Sequence, residues 1–175
     1  MDKTDYGVLI VFLFLYIILI FCSQCPYIDF FRFLIICLCL LPALRYGVPT
    51  AAFYTIISDF FLLFTHYTKL GVYFFCLVQL FYIAFLLNKK PPLFVVFFLL
   101  LFLVFPLPVL GAIYGFLFFI HAFIAFFLWK QKKAKPYFGL YLLGLFFFIC
   151  CDILVAIGYF TTPQPTLIWI FYAPS

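Results

Sequence analysis

Two aspartates stand inside long apolar stretches of this chain, where a carboxylate has little water around it. Asp59 lies in ISDFFLLF and Asp152 in CCDILVAI, and the chain contains no glutamate. An ionised aspartate in the middle of a membrane-spanning helix costs about 2.5–3.5 kcal/mol, so such residues usually face a protein interior and mark function. Two carboxylates that share a low-dielectric site titrate as a coupled pair, so one can act as an acid while the other acts as a base. We therefore predict that Asp59 and Asp152 form a functional site.

The composition around these aspartates is that of a membrane protein. Hydrophobic residues make up 70% of the chain, charged residues make up 9%, and the mean hydropathy is +1.35. A soluble domain has about 45–50% apolar residues, so this chain has too much apolar surface for a water-soluble fold. The net charge of +5 comes from short basic loops without interleaved aromatic residues, which argues against a nucleic-acid partner.

The elements that must position the aspartates are apolar segments bounded by Pro, Gly or charged residues. About 20 apolar residues span a bilayer, and on this basis we predict an all-α, polytopic transmembrane helix bundle of about eight spans in one membrane domain, residues 1–175. The segments are Tyr6–Cys22, Ile28–Leu44, Val48–Thr65, Leu70–Leu87, Pro92–Phe105, Val109–Trp129, Tyr137–Tyr159 and Thr166 to the end. The eighth segment stops after about ten residues, half the length of a crossing. We therefore expect the natural C-terminus to lie further on.

The basic residues give this bundle an orientation. If the segments alternate in direction, eight of the ten Lys and Arg residues fall on the side of the N-terminus, and only Arg32 and Lys69 fall on the other. Positive residues concentrate in cytoplasmic loops, so the N-terminus is expected to be cytoplasmic. The small size and the lack of a targeting signal favour a prokaryotic cytoplasmic membrane.

Counting along the helices places the two aspartates at one depth. Asp59 is ~9 Å and Asp152 ~11 Å from the outer ends of the third and seventh segments, at 1.5 Å per residue. Both segments run outward, four segments apart, in similar local sequences, which favours two parallel four-helix halves. Further polar side chains fall in or below the same layer, and interhelical hydrogen bonding is the alternative role for them. These candidate substrate-binding residues are Arg32, Gln79, Tyr82, Tyr114 and Tyr172.

The remaining polar and sulfur-containing residues predict no metal or cofactor site. His66 falls in a loop, and His121 is expected to be a hydrogen-bonding interior residue. Neither histidine has a metal-ligand partner at helical spacing. The seven cysteines lie mostly in apolar runs, where cysteine behaves as a small hydrophobic residue.

Several stretches together resemble the YhhN-like lysoplasmalogenase family of membrane proteins. They are SDFFLLF and GVYFFCLVQLFYIAF, between Ser58 and Phe85, followed by FFFICCDILVAI and the closing WIFYAPS. Tyr114 matches the tyrosine of the family's sixth span. The chain departs from the family pattern at three positions: Ser58 replaces a Gly, Cys151 replaces a Ser and Gln79 replaces a His.

This resemblance implies hydrolysis of the vinyl ether bond of a lysoplasmalogen, a lysophospholipid substrate drawn from the bilayer. Asp59 and Asp152 would serve as acid and base in either order, the tyrosines would orient water or substrate, and Arg32 or Lys69 would meet the phosphate. Two other functions fit the same residues: a small cation-coupled transporter that uses the aspartate pair, and a catalytically inactive lipid-binding protein. The sequence does not predict the oligomeric state.

Overall fold

The chain folds into α-helices wherever its structure is described. The computed structural model describes residues 3–21, 27–89, 104–131 and 138–160, together with Ile168 and Tyr172. These residues are 90% helical and contain no strand. The helices are α1 (Lys3–Phe21), α2 (Ile28–Tyr46), α3 (Pro49–Phe64), α4 (Thr68–Leu86), α5 (Leu107–Lys130) and α6 (Phe138–Phe160). The prediction of an all-α protein is confirmed.

Six of the predicted apolar segments coincide with these helices, and each boundary agrees within three residues. The fifth segment, apart from its last two residues, and the eighth, apart from Ile168 and Tyr172, lie outside the described residues. Among the described helices, α4 and α5 are long and apolar enough to cross a membrane, with mean hydropathies of 1.8 and 2.2. The structure thus supports two such helices, and a count of eight remains a prediction.

The chain divides into two compact units. The central unit comprises Ile36–Phe127, and the terminal unit comprises Met1–Ile35 together with Leu128–Ser175. The central unit contains the second half of α2, all of α3 and α4, and most of α5. The described buried side chains of the terminal unit come from α1, from the beginning of α2 and from α6. The prediction of one membrane domain over residues 1–175 stays a prediction.

Helices α3 and α4 form an antiparallel hairpin at the centre of the central unit. The helices are joined by three residues, and the hydroxyl of Thr65 organises this connection. It donates a hydrogen bond of 2.7 Å to the carbonyl oxygen of Phe61 and accepts one of 3.1 Å from the backbone N–H of Tyr67. A connection this short makes the two helices neighbours in space.

Aromatic rings and small apolar side chains hold this hairpin against α5. The core consists of Tyr73, Cys76 and Leu77 of α4 with Leu110 of α5. On the α3 side, the ring of Tyr54 stacks on Phe74 and Phe81 of α4, with centroid distances of 6.0 and 5.2 Å. Each offset aromatic pair of this kind adds about 0.5–1.5 kcal/mol beyond the burial of its rings. Helices α3, α4 and α5 therefore form the packed framework around any site in this unit.

Candidate functional site

The buried polar side chains of the described residues concentrate in the central unit. They are Ser58 and Asp59 on α3, Gln79 on α4 and His121 on α5. The Asp59 side chain is only 4% exposed, so the structure places the first predicted catalytic residue inside the protein. A buried polar group is costly unless it has partners. The neighbours of these four side chains are therefore what define the site.

The position of Asp59 is fixed by its neighbour Ser58. The Ser58 hydroxyl donates a hydrogen bond of 2.5 Å to the backbone carbonyl oxygen of Gly71 on α4. Glycine is needed at this point because a Cβ atom on residue 71 would lie 2.6 Å from the Leu62 side chain and 3.1 Å from the Ser58 carbonyl oxygen. The close approach of the two backbones, tied by this hydrogen bond, sets the rotation of α3 that turns Asp59 inward.

The second half of α2 contributes two thiols near this carboxylate. Cys37 and Cys39 both lie within electrostatic range of Asp59, and Tyr82 of α4 lies within range of Cys39. Sequence reasoning treated these cysteines only as small hydrophobic residues. The structure places both thiols in the same unit as Asp59, Cys37 partly buried and Cys39 exposed.

A second polar contact joins α4 to α5. The Nδ1 atom of His121 lies 2.7 Å from the Oε1 atom of Gln79, and the two side chains are 3% and 1% exposed. A neutral amide oxygen can only accept, so in this arrangement the imidazole carries its proton on Nδ1 and has its lone pair on Nε2. The contact therefore favours the tautomer of His121 that is protonated on Nδ1.

Aromatic rings hold the imidazole of His121 in place. The Tyr82 ring stacks on it with a centroid distance of 5.3 Å and an interplanar angle of 3°, and the Phe118 ring meets it edge-on at 6.1 Å. Tyr114 stacks on Phe118 in turn, again at 6.1 Å, and lies against Phe75 of α4. The structure thus brings three of the predicted substrate-binding residues, Gln79, Tyr82 and Tyr114, to one seam between α4 and α5.

The other predicted site residues lie in the terminal unit. Asp152 is half-buried on α6 beside the buried Cys151. The ring of Tyr172 lies 5.6 Å from that of Phe148, which is one helical turn before Asp152 and on the same face of α6. Because Asp59 and Asp152 belong to different units, their shared depth remains a prediction.

Arg32, the predicted phosphate ligand, has a partner that the sequence analysis did not name. Its Nη1 atom lies 2.7 Å from Oδ1 of Asp29, one turn earlier on α2. The i, i+3 spacing of the two residues is the signal that predicts such a pair. Any anion that reaches Arg32 has to compete with this carboxylate.

His121 is the residue whose importance the sequence analysis understated. The expectation that it is a hydrogen-bonding interior residue is confirmed, but its partner was not foreseen. The signal was Gln79 itself, because an amide in an apolar helix needs a partner. Among the described residues, no group of three or more His, Cys, Asp or Glu side chains is arranged to hold a metal ion.

These features define an all-α protein whose described residues include two helices long and apolar enough to cross a membrane, and a buried polar site among three helices. No protein-family model, curated protein or solved structure matches the chain.

Proposed function

We propose that this protein is a membrane-embedded hydrolase of the lysoplasmalogenase type, which cleaves the vinyl ether bond of lysoplasmalogens. The observation that carries the proposal is the burial of Asp59 beside Ser58, in the same helical unit as the Gln79–His121 pair. Polar groups of this kind are costly inside an apolar bundle, and they usually mark a functional site.

The chemistry needs one acid and one base. The acid protonates the β-carbon of the vinyl ether, which creates an oxocarbenium-like ion at the α-carbon. Water adds to that carbon while the base takes its proton, and the resulting hemiacetal breaks into a fatty aldehyde and the free hydroxyl of the glycerophospho group. Asp59 and Asp152 take these two roles in our proposal, as two carboxylates do in glycosidases.

The α4–α5 seam supports this proposal. In the family that the sequence resembles, a histidine stands where this chain has Gln79. Here an imidazole is supplied from α5, with His121 Nδ1 only 2.7 Å from the Gln79 amide oxygen. We propose that the site keeps its imidazole in this way, while Tyr82 and Tyr114, together with Tyr172, orient water or the substrate.

We further propose the membrane arrangement that this function requires. It has about eight spans in two parallel halves, a cytoplasmic N-terminus and a place in a prokaryotic cytoplasmic membrane. Apolar side chains exposed on α5 support a lipid-facing surface, because Phe116, Phe119 and Phe123 are each more than 60% exposed. An apolar surface that faces lipid would also let the alkenyl chain enter from the bilayer, with its phosphate near Arg32.

The test is aldehyde release from a lysoplasmalogen by the purified protein in detergent. Wild-type protein should release aldehyde, and folded Asp59→Asn and Asp152→Asn variants should not. Thr55→Val is the matched control, since the Thr55 hydroxyl bonds within its own helix to the Ala51 carbonyl, one turn from Asp59. A lysophospholipid with a saturated ether should resist cleavage, because it has no carbon–carbon double bond whose β-carbon could accept a proton.

Other outcomes would overturn the proposal. If the folded wild-type protein releases no aldehyde, the proposed hydrolase function is wrong. Proton- or sodium-dependent flux in vesicles would then favour a carrier, and lipid binding that survives both Asp→Asn changes would favour an inactive lipid-binding protein.

A further inference from the structure

A cavity of about 420 Å³ lies at the end of the α3–α4 hairpin opposite to its connecting loop. It is bounded by the turn between α2 and α3, the first turn of α3 and the last turns of α4. Its volume falls within the 300–1,000 Å³ of ordinary small-molecule sites. Its described lining residues all belong to the central unit, and the two on α3, Thr50 and Ala51, lie ~12–14 Å along the helix from Asp59. The cavity is therefore separate from the carboxylate site.

Two similar helix ends build one side of this cavity. Gly47, directly after α2, has the left-handed conformation (φ 84°), and Asn88, two residues after α4, has φ 52°. In each case the next residue, Val48 or Lys89, donates its N–H to the carbonyl five residues earlier, at 3.0 and 2.8 Å. This is the Schellman arrangement, which reverses the chain at the end of a helix. It brings Val48 and Lys89 into the cavity wall.

The lining of the cavity is amphipathic, and none of its described residues is acidic. Its polar side chains are those of Thr50, Asn88 and the exposed Lys89, and its apolar side includes Phe81 and Phe85. A lysine ammonium binds phosphate as a point charge, and amide and hydroxyl groups supply further donors. The aromatic wall suits the apolar part of a lipid and has no role in binding a free inorganic anion.

We propose that this cavity binds the phosphate headgroup of an anionic phospholipid, with Lys89 as its charged contact. Basic pockets between membrane helices on the cytoplasmic side are the usual sites for such headgroups. Lys89 lies at the end of the α3–α4 hairpin opposite to its connecting loop. The distribution of Lys and Arg along the chain predicts that this end faces the cytoplasm. The inference relies on the proposed membrane placement and does not require the hydrolase activity.

The test is retention of lipid by the full-length protein in nanodiscs of phosphatidylcholine with and without phosphatidylglycerol, followed by native mass spectrometry. Wild-type protein should retain phosphatidylglycerol in preference to phosphatidylcholine. Lys89→Gln should lower that retention about fivefold, the effect of one lysine near a charged lipid surface. Thr50→Trp should lower it as well, because Thr50 is exposed in the cavity wall and a large ring there would fill the space.

Lys130→Gln is the matched control, because it removes the same charge from an exposed lysine in the last turn of α5, outside the cavity lining. An equal loss in both lysine variants would mean a general surface attraction and would overturn the proposal. Equal retention of the two lipids by wild-type protein would do the same. Displacement of phosphatidylglycerol by inorganic phosphate at comparable concentration would assign the cavity to a free anion instead of a lipid. If wild-type protein prefers phosphatidylglycerol but releases no aldehyde, the lipid site is supported and only the proposed hydrolase function is wrong.

Discussion

The imidazole of His121 and the side-chain amide of Gln79 are hydrogen-bonded across the α4–α5 interface, with 2.7 Å between Nδ1 and Oε1. Both side chains are almost completely buried. A buried polar group that loses its partner costs more than the hydrogen bond contributed, because water cannot replace the partner. The two residues should therefore behave as one unit in both stability and activity.

Replacing one member of the pair should destabilise the protein more than replacing both. His121→Phe keeps a ring that can stack on Tyr82 but leaves the Gln79 amide without this partner, at a cost of about 1–3 kcal/mol. The double variant Gln79→Leu/His121→Phe removes both polar groups and should recover most of that loss. The measurement is the free energy of unfolding in detergent, arranged as a double-mutant cycle.

The control for this cycle is Phe123→Leu, an exposed position on the same helix as His121, which should have little effect. Additive changes in the cycle would mean that the two residues do not interact. If the proposed hydrolase is correct, the exchanged variant Gln79→His/His121→Gln should retain more activity than either single variant, since it keeps one imidazole and one amide in contact.

The hydrogen bond between Ser58 and Gly71 should contribute to the stability of the α3–α4 hairpin. Ser58→Ala removes the donor to the Gly71 carbonyl and should lower the free energy of unfolding by about 0.5–1.5 kcal/mol. Thr55→Val is the comparison, because the Thr55 hydroxyl bonds within α3, to the Ala51 carbonyl, and its loss should cost less. If the two variants lose equal free energy of unfolding, the interhelical hydrogen bond of Ser58 contributes no more to stability than the bond of Thr55 within α3.

Helices α3 and α4 approach closely at Gly71, whereas Gly115 has open space beside it. Replacement by alanine should therefore destabilise the protein at Gly71 and not at Gly115. In Gly71→Ala the new methyl group would lie 2.6 Å from the Leu62 side chain and 3.1 Å from the Ser58 carbonyl oxygen, so we expect a loss of about 1–3 kcal/mol. At Gly115 a Cβ atom meets nothing within 4 Å, so Gly115→Ala should be neutral or stabilising by up to about 1 kcal/mol. Thermal unfolding of the two variants checks both signs.

Leu62→Ala in the background of Gly71→Ala separates the two contacts. If the clash with the Leu62 side chain dominates, the double variant should be more stable than Gly71→Ala alone. If the backbone contact with Ser58 dominates, no recovery should occur.

The helices could be predicted from the sequence because each helix coincides with one apolar run of similar length. Gly47 and Pro49 separate α2 from α3, and the polar residues around Asn88 end α4. Charged residues and proline interrupt an apolar helix for local physical reasons, so the boundaries agree within three residues where the structure describes them.

The side-chain contacts of the site could not be predicted in the same way. A helix that is apolar on all sides has no polar face that would reveal its rotation, and α5 is such a helix. Asp59 was predicted because an isolated acid stands out in an apolar run. The pairing of Gln79 with His121 depends on how α4 and α5 rotate toward each other, and the packing of Leu110 against Tyr73 and Cys76 sets that rotation.

The ion pair of Asp29 with Arg32 leads to the last prediction. The Arg32 side chain is 12% exposed and that of Asp29 is 44% exposed, so the pair is partly solvated and worth at most about 1 kcal/mol of stability. Asp29→Asn should therefore change the free energy of unfolding only slightly. It should also remove the carboxylate that competes for the Arg32 guanidinium.

Asp29→Asn should affect substrate binding more than it affects the free energy of unfolding. If Arg32 meets the phosphate of the lysophospholipid, Asp29→Asn should lower KM with kcat nearly unchanged, and Arg32→Gln should raise KM. A partly exposed contact of this kind weakens with salt, so the difference between the variants should shrink as ionic strength rises. Equal KM values for wild type and both variants would remove Arg32 from the substrate site and leave its ion pair with Asp29 as a purely local contact on α2.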